Sequence, residues 1–263
     1  MDTNTDDMTP HQAADALRWL ADMGADEIIG ETPVNRLAEP ARLAPATALS
    51  RGAEAATRPA PSAAATTAAE CASLSDIAAA LDTFDACPLK KTATRLCFAD
   101  GSPNARVMLV GEAPDRDEDI EGKPIAGRSG QLLDRMLAAI GLSREATDRE
   151  SAVFITSAIF WRPPGNRPPT EAEIQMCLPF LLRSIELQKP DVIMCLGQLP
   201  TQRLTGHNEG LLKMRGRWMT ANVSGRSIPL IATLHPSFLL RHPAQKRLAW
   251  RDLLSLRQML DSH

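Results

Sequence analysis

Five carboxylates fall within eight positions, at Glu112, Asp115, Asp117, Glu118 and Asp119, directly after the apolar run Val107-Met108-Leu109-Val110-Gly111. Far along the chain a lone imidazole, His235, follows a second apolar run, Ile231-Ala232-Thr233-Leu234. These residue types move protons or bind cations. A strand that gives way to a polar loop is how an α/β protein sets reactive groups at the carboxyl edge of its sheet. A parallel sheet brings such edges to one crevice, so the two loops are expected to face a single ligand, with a carboxylate on one side and the His on the other.

Each cluster also has a plainer explanation. The acidic loop could be a helix N-terminus decorated with carboxylates, and His235 could be a strand-end His bonded to backbone. A metal site is poorly supported, because the carboxylates have no His nearby in sequence. Nucleotide chemistry is disfavoured by spacing. Gly122-Lys123 runs into Pro124, so there is no Walker loop, and the first strand-to-helix turn has no Gly-x-Gly-x-x-Gly.

The elements that would hold these loops can be read in order. Residues 10 to 29 place Ala14, Leu17, Leu20, Ala21 and Ile28 at mostly helical spacing. Residues 32 to 69 are Ala, Pro, Thr and Arg with few bulky side chains, which predicts a disordered linker. Leu74, Ile77, Leu81 and Phe84 restore helical periodicity, and the folded domain is expected to start at 73. After the opening strand, Ser129 could cap a helix with Leu132, Leu133, Met136, Leu137 and Ile140 on one face, ending at Gly141. Val153 to Thr156 reads as a strand. Thr170 and Glu173 form a capping box ahead of Ile174, Cys177, Leu178, Leu181 and Ile185.

Asp191 to Gly197 is a nearly continuous apolar strand, as expected where helices cover both sheet faces. A short helix near Leu199 to Leu204, a hairpin from Gly210 to Trp218, a strand from Ile228 to Thr233 and a closing helix from Pro243 to Leu260 follow. The fold class is therefore α/β, a three-layer α/β/α sandwich around a central, mainly parallel four-stranded sheet. The organisation is a helical segment at 1 to 31, a linker at 32 to 72 and one α/β/α domain at 73 to 263.

Charge divides the chain in the same way. Residues 1 to 86 hold 5 Lys and Arg against 14 Asp and Glu, whereas residues 87 to 263 hold 24 against 18, so the net charge of −3 hides a basic folded part. A polyanion is a fitting partner for such a surface. Nothing approaches a membrane span or a secretory signal, and the cytoplasm is the expected compartment. Cys71, Cys87, Cys97, Cys177 and Cys195 are an odd set in a chain long enough to bury a core, and reduced thiols are expected.

Taken together, Gly111-Glu112-Ala113-Pro114, the pair Glu118-Asp119, Gly127-x-x-Gly130-Gln131-Leu132-Leu133, Arg162-Pro163-Pro164-Gly165-Asn166-Arg167, Met214-Arg215-Gly216-Arg217-Trp218 and His235-Pro236-Ser237 resemble family 4 uracil-DNA glycosylases. The resemblance runs in order from about Phe84 to Leu260. It implies hydrolysis of the N-glycosidic bond of a deaminated base flipped out of single- or double-stranded DNA, initiating base excision repair. No membrane partner is implied, and a monomer is expected. Glu112 and Asp115 are the candidates for handling water and the sugar's positive charge, and His235 for donating to the base carbonyl oxygen. Gly111, Ala113, Ile125 and Ser157 would line the base. Pro236, Ser237, Leu239 and Arg241 would form a minor-groove loop with Leu239 as its wedge. Arg162, Arg167, Arg215, Arg217 and Arg241 would meet phosphates.

The sequence departs from that family in ways that matter. Its members usually hold an iron-sulfur cluster on four Cys, and the matching positions here are Phe84, Cys87, Trp161 and Cys177. Two thiols are half of what such a cluster needs, so no metal or cofactor is expected, with Phe84 and Trp161 filling the volume. Asp115 stands where the family usually has Gly, Ile125 where an aromatic would stack on uracil, and Ser157 where an Asn would read its edge. A hydroxyl lacks the paired donor and acceptor of an amide. Weakened selectivity is expected, admitting hypoxanthine and xanthine beside uracil. The chain has no Tyr, which excludes the Gly-Gln-Asp-Pro-Tyr motif of family 1 enzymes. The competing reading is a DNA-binding protein without turnover that captures flipped bases or single strands.

Overall fold

The computed structural model describes residues 62–262; the expected helix at 10 to 29 and most of the linker lie outside them. The described elements are α1 (Ala63–Glu70), α2 (Leu74–Thr83), β1 (Ala99–Gly101), β2 (Val107–Gly111), α3 (Arg116–Glu121), α4 (Gly127–Ala138) and β3 (Val153–Ser157). There follow α5 (Glu171–Gln188), β4 (Val192–Leu196), α6 (Gln198–Thr205), α7 (Leu211–Met214), β5 (Trp218–Val223), β6 (Arg226–Thr233), α8 (Pro236–Arg241) and α9 (Lys246–Asp261).

The sheet has six strands in the order β1-β3-β2-β4-β6-β5. Its inner four are parallel, β2 pairing with β3 and β4, and β4 with β6. These are the four strands expected from sequence. Two antiparallel edges are added, β1 on β3 and β5 on β6. The expected hairpin at 210 to 218 is corrected by this pairing. Residues 211 to 214 are helical, and the hairpin joins β5 to β6 through Ser224 and Gly225, both at positive φ.

Side chains alternate across β2 because successive Cβ atoms point to opposite faces. Met108 and Val110 enter one apolar cluster with Ile77, Leu81, Phe180 and Leu181 of α2 and α5. Val107 and Leu109 enter another with Leu133 and Leu137 of α4 and Leu253 and Leu256 of α9. This double covering is the three-layer sandwich, and it explains why all five residues of β2, β3 and β4 are buried.

Two local expectations are corrected. Residues 63 to 70, assigned to the linker, form α1, which Ser62 caps and which buries Ala64 and Ala68. An Ala-rich stretch reads as featureless until a partner takes its small side chains; helix propensity is already high. Ser129 caps nothing, since α4 starts two residues earlier at Gly127 and Ser129 lies buried inside it. The capping box of Thr170 with Glu173 forms as expected. Among the described residues no helix is long and apolar enough to cross a membrane.

Candidate functional site

The carboxyl ends of β2, β4 and β6 open onto one crevice, and the residues after each strand build its walls. Glu112 follows β2, and its Oε1 accepts from the backbone N–H of Gln198 at 2.9 Å and of Leu199 at 3.1 Å. These are free donors of the first turn of α6, where negative charge is favoured by the helix dipole. The approach depends on Gly197, which has φ +120° and whose added Cβ would sit 2.5 Å from the Glu112 carboxyl carbon. Any larger residue there would push the carboxylate out of its seat.

His235 follows β6 as the N-cap of α8. Its Nδ1 lies 2.8 Å from the Ser237 hydroxyl oxygen and 3.2 Å from the Ser237 backbone nitrogen. A backbone N–H can only donate, so Nδ1 must accept and the proton of the neutral ring sits on Nε2. Burial pushes the His235 pKa below its ordinary value, against the pull of Glu112 and Asp115. The ring is therefore a neutral donor through Nε2.

Glu112, Gly197, Gln198, Leu211, His235 and Arg241 are among the residues around a cavity of about 680 Å³. A second cavity of about 530 Å³ adjoins it, sharing Glu112, Gln198, Ser237 and Arg241 and adding Ala113, Asp115 and Arg167. The two are one cleft with Glu112 at its middle. The sequence reading missed Gln198, Gln202, Asn166 and Leu212 as lining residues; only the Gly197 that follows β4 hinted at the first of them.

Most of the acidic cluster turns out to be architectural. Asp115 caps α3, accepting from Asp117 N at 2.9 Å and Glu118 N at 3.2 Å. Glu118 reaches back to Asp115 N at 2.7 Å and also accepts from Ile125 N. It is buried, which lifts its pKa to about 7. Asp119 accepts from Thr94 N at 2.7 Å and Arg95 N at 3.2 Å. The helix N-terminus considered at the outset is thus real, and of the five carboxylates only Glu112 and Asp115 line the cleft. Replacing Asp115 by Ala should lower stability by about 1 kcal/mol through loss of the cap, while Asn should hold it. Urea denaturation of the two variants separates cap from charge, and a rate loss in the Asn variant would assign the charge to the chemistry.

The expected base-lining residues divide into two groups. Ala113 lines the cleft, whereas Gly111, Ile125 and Ser157 are not among its lining residues; Ile125 and Ser157 are buried, and Ile125 borders a separate cavity of about 240 Å³ with Asp100, Lys123 and Arg144. A Cβ on Gly111 would stand 3.1 Å from Ser157 Oγ and 3.4 Å from Ile125 Cδ1, so these three pack against one another at the carboxyl ends of β2 and β3. Ile125 holds φ +51°, an uncommon conformation for a β-branched residue. Its backbone N–H is fixed there by Glu118.

The cations are mostly engaged. Arg162 donates to Asn166 Oδ1 at 2.7 Å and lies 3.9 Å from Asp119. Arg167 makes a bidentate pair with Glu173 at 2.8 and 2.5 Å, holding that carboxyl down to about 2. Arg217 pairs with Glu209 at 3.0 Å on the surface. Arg215 is a correction. Its guanidinium turns inward to the buried Asp252 at 3.1 and 2.5 Å and to Leu248 O at 2.6 Å, tying the loop to α9 rather than reaching outward. Arg241, exposed at the end of α8, borders both cavities.

Leu239 is a second correction. It is 1% exposed and packs with Leu132, Leu234 and Ala249. Pro236 and Leu239, three apart on α8, form that helix's buried face, which leaves Ser237 half-buried above them. A wedge must reach out of the protein, and this side chain does not.

The four positions matching the family's cluster ligands lie in the core that contains α5. Phe84 meets Phe180 edge-on at 5.2 Å, and Trp161 meets Phe160 edge-on at 6.3 Å. Cys87 and Cys177 are fully buried, and the neighbouring Cys87 thiol together with burial pushes the Cys177 thiol well up. Two thiols, an indole and a phenyl do not match a four-thiolate donor set. Among the described residues no group of three or more His, Cys, Asp or Glu is placed to hold a metal ion.

Residues 98–254 match the family model described as the uracil DNA glycosylase superfamily. The chain is 38% identical over 181 residues to a type-4 uracil-DNA glycosylase of Saccharolobus solfataricus, covering 67% of this chain and 81% of that one. It is 37% identical over 175 residues to the type-4 enzyme of Archaeoglobus fulgidus, covering 65% and 85%. Similarity extends to a type-5 uracil-DNA glycosylase of Pyrobaculum aerophilum, 32% identical over 151 residues, covering 52% and 63%.

Proposed function

Because the chain belongs to the uracil DNA glycosylase superfamily and is a hydrolase of the uracil-DNA glycosylase type, we propose that Glu112 and His235 are the pair that splits the bond between a flipped base and its sugar. The observation that carries this reading is that both line one cleft at the carboxyl edge of the sheet. As the bond from C1′ to the base nitrogen breaks, its electron pair leaves with the base and the sugar becomes cationic. Glu112 stabilises that cation and orients water, whose oxygen bonds to C1′ and whose proton passes to the carboxylate. The His235 Nε2–H donates to the base carbonyl oxygen where negative charge collects, binding the transition state better than the substrate.

Asp115 adds a second negative group on the sugar side of the cleft. In this reading Ala113, which lines the cleft, forms the base's near wall, and Gly111, Ile125 and Ser157, packed together at the carboxyl ends of β2 and β3, form the floor beneath the base. Arg241 and Arg167, which line the cleft, meet phosphates, as does Arg162 beside Asn166, with Arg217 further out. The protein acts without an iron-sulfur cluster, its two remaining thiols being enclosed by aromatic packing.

The floor also bears on which bases are accepted. Ile125 offers no π face for stacking, which is worth about 1–3 kcal/mol per base where present. Ser157 offers one hydroxyl where an amide would discriminate. Uracil, hypoxanthine and xanthine are thus all substrates in this reading. A free-base release assay on oligonucleotides carrying each base should show release of all three with rates closer together than a stacking, amide-lined pocket would give. Release of uracil alone would restrict the reading to uracil, and release of none would end it.

A further inference from the structure

An extruded base leaves a gap in the duplex, and stable opening requires an apolar side chain to fill it, since unstacking costs a few kcal/mol per step. Resting on the glycosylase reading above, we propose that Leu212 on α7 is that side chain. Among the apolar side chains on the cleft or on the loop after His235, Ile174, Leu199, Leu211 and Leu234 are buried or half-buried. Leu239 is buried in the core. Phe238 lies with its ring 4.4 Å from His242 and packs, like Leu240, against the apolar cluster of α4 and α9. Leu212 is 70% exposed and lines the same cavity as Glu112 and His235.

A single exposed Leu is ordinary on a protein surface. What sets this one apart is how it is held. Met214, two residues on, is fully buried. Arg215 is clamped to Asp252 and Leu248 O, and Gly216 N donates to Ala232 O at 2.9 Å. On the other side Leu211 N faces Gln198 Oε1 at 3.4 Å. The four-residue helix is therefore a fixed platform with Leu212 projecting from it, and little loop entropy remains to be lost when it enters DNA. Lys213 beside it and Arg217 beyond are exposed cations that suit the phosphates flanking an opened step. The inward turn of Arg215, unexplained by phosphate binding, then has a purpose in fixing this platform.

The test compares single-turnover uracil release from one oligonucleotide, as a single strand and paired with its complement, for the full chain and its Leu212→Ala and Leu239→Ala variants. Only a duplex has a stack to fill. Leu212→Ala should lose about tenfold more rate on the duplex than on the single strand, given the cost of unstacking. Leu239→Ala should lower the melting temperature and leave the duplex-to-single-strand ratio near that of the parent. An unchanged ratio in Leu212→Ala, a changed ratio in Leu239→Ala, or a parent that cleaves single strands only would each overturn the assignment. A parent that releases uracil from neither substrate would instead remove the glycosylase reading on which it rests.

Discussion

Replacing His235 by Ala should lower the single-turnover rate of uracil release about a hundred- to a thousandfold, the usual loss when one preorganised donor to a developing oxyanion is removed. The reason lies in the ring's wiring. Ser237 occupies Nδ1 from both its backbone and its hydroxyl, so the only N–H of the neutral ring is at Nε2. Burial holds the pKa below the ordinary His value of about 6.5, so the donor is neutral at physiological pH. A neutral donor costs little to bury and shares a proton only where charge appears. Substrate binding should change far less than the rate, because the uracil carbonyl in the ground state is a weak acceptor. A fall in affinity with an unchanged rate would make His235 a binding residue only.

The same pKa shift fixes a pH signature. Above about pH 6.5 folded and unfolded chains both carry a neutral imidazole at this position, and the stability is full. As pH falls toward the lowered folded value, the unfolded chain takes up a proton that the folded one refuses, and stability is lost. Urea denaturation at pH 7.5 and pH 5.5 should show a smaller difference for His235→Ala than for the parent.

How much of this was legible before the fold was known depends on how local each cause is. The four parallel strands could be read because burial on both faces makes them continuous apolar runs, as in Val107 to Val110. β1 could not, being three half-buried residues, and β5 alternates exposed Trp218 and Thr220 with little apolar signal. Glu112 and His235 were visible as residues that end strands. Which of the five carboxylates turns inward was not, since that is set by the chain reversal at α3 and by partners such as Thr94, 25 residues away. Arg215 finds Asp252 across 37 residues, and nothing in the Arg-rich motif announces it. Leu239 is different. Its spacing of three from Pro236 marks a helix face, and a six-residue helix with an apolar face must bury that face against something.

The sharpest separation of chemistry from architecture is available at Glu112. Glu112→Gln should retain the fold, because the amide oxygen can still accept from Gln198 N and Leu199 N as Oε1 does. It should nevertheless cut the rate about a hundred- to ten-thousandfold, the range for loss of a positioned acid-base group, since a neutral amide neither takes water's proton nor stabilises a cationic sugar. Glu112→Ala loses the acceptor as well, and about 1 kcal/mol of stability should go with the cap on α6. Comparable rate losses with unequal melting temperatures would identify the carboxylate charge as what the reaction uses. If Glu112→Gln instead keeps most of the parental rate, then the carboxylate serves only to hold α6 against β2. Asp115, the other carboxylate lining the cleft, would then be the residue to test by the same Asn exchange. Because Asp115 Oδ1 already caps α3, its other oxygen alone would be left for water, and the double variant should then lose what neither single exchange does.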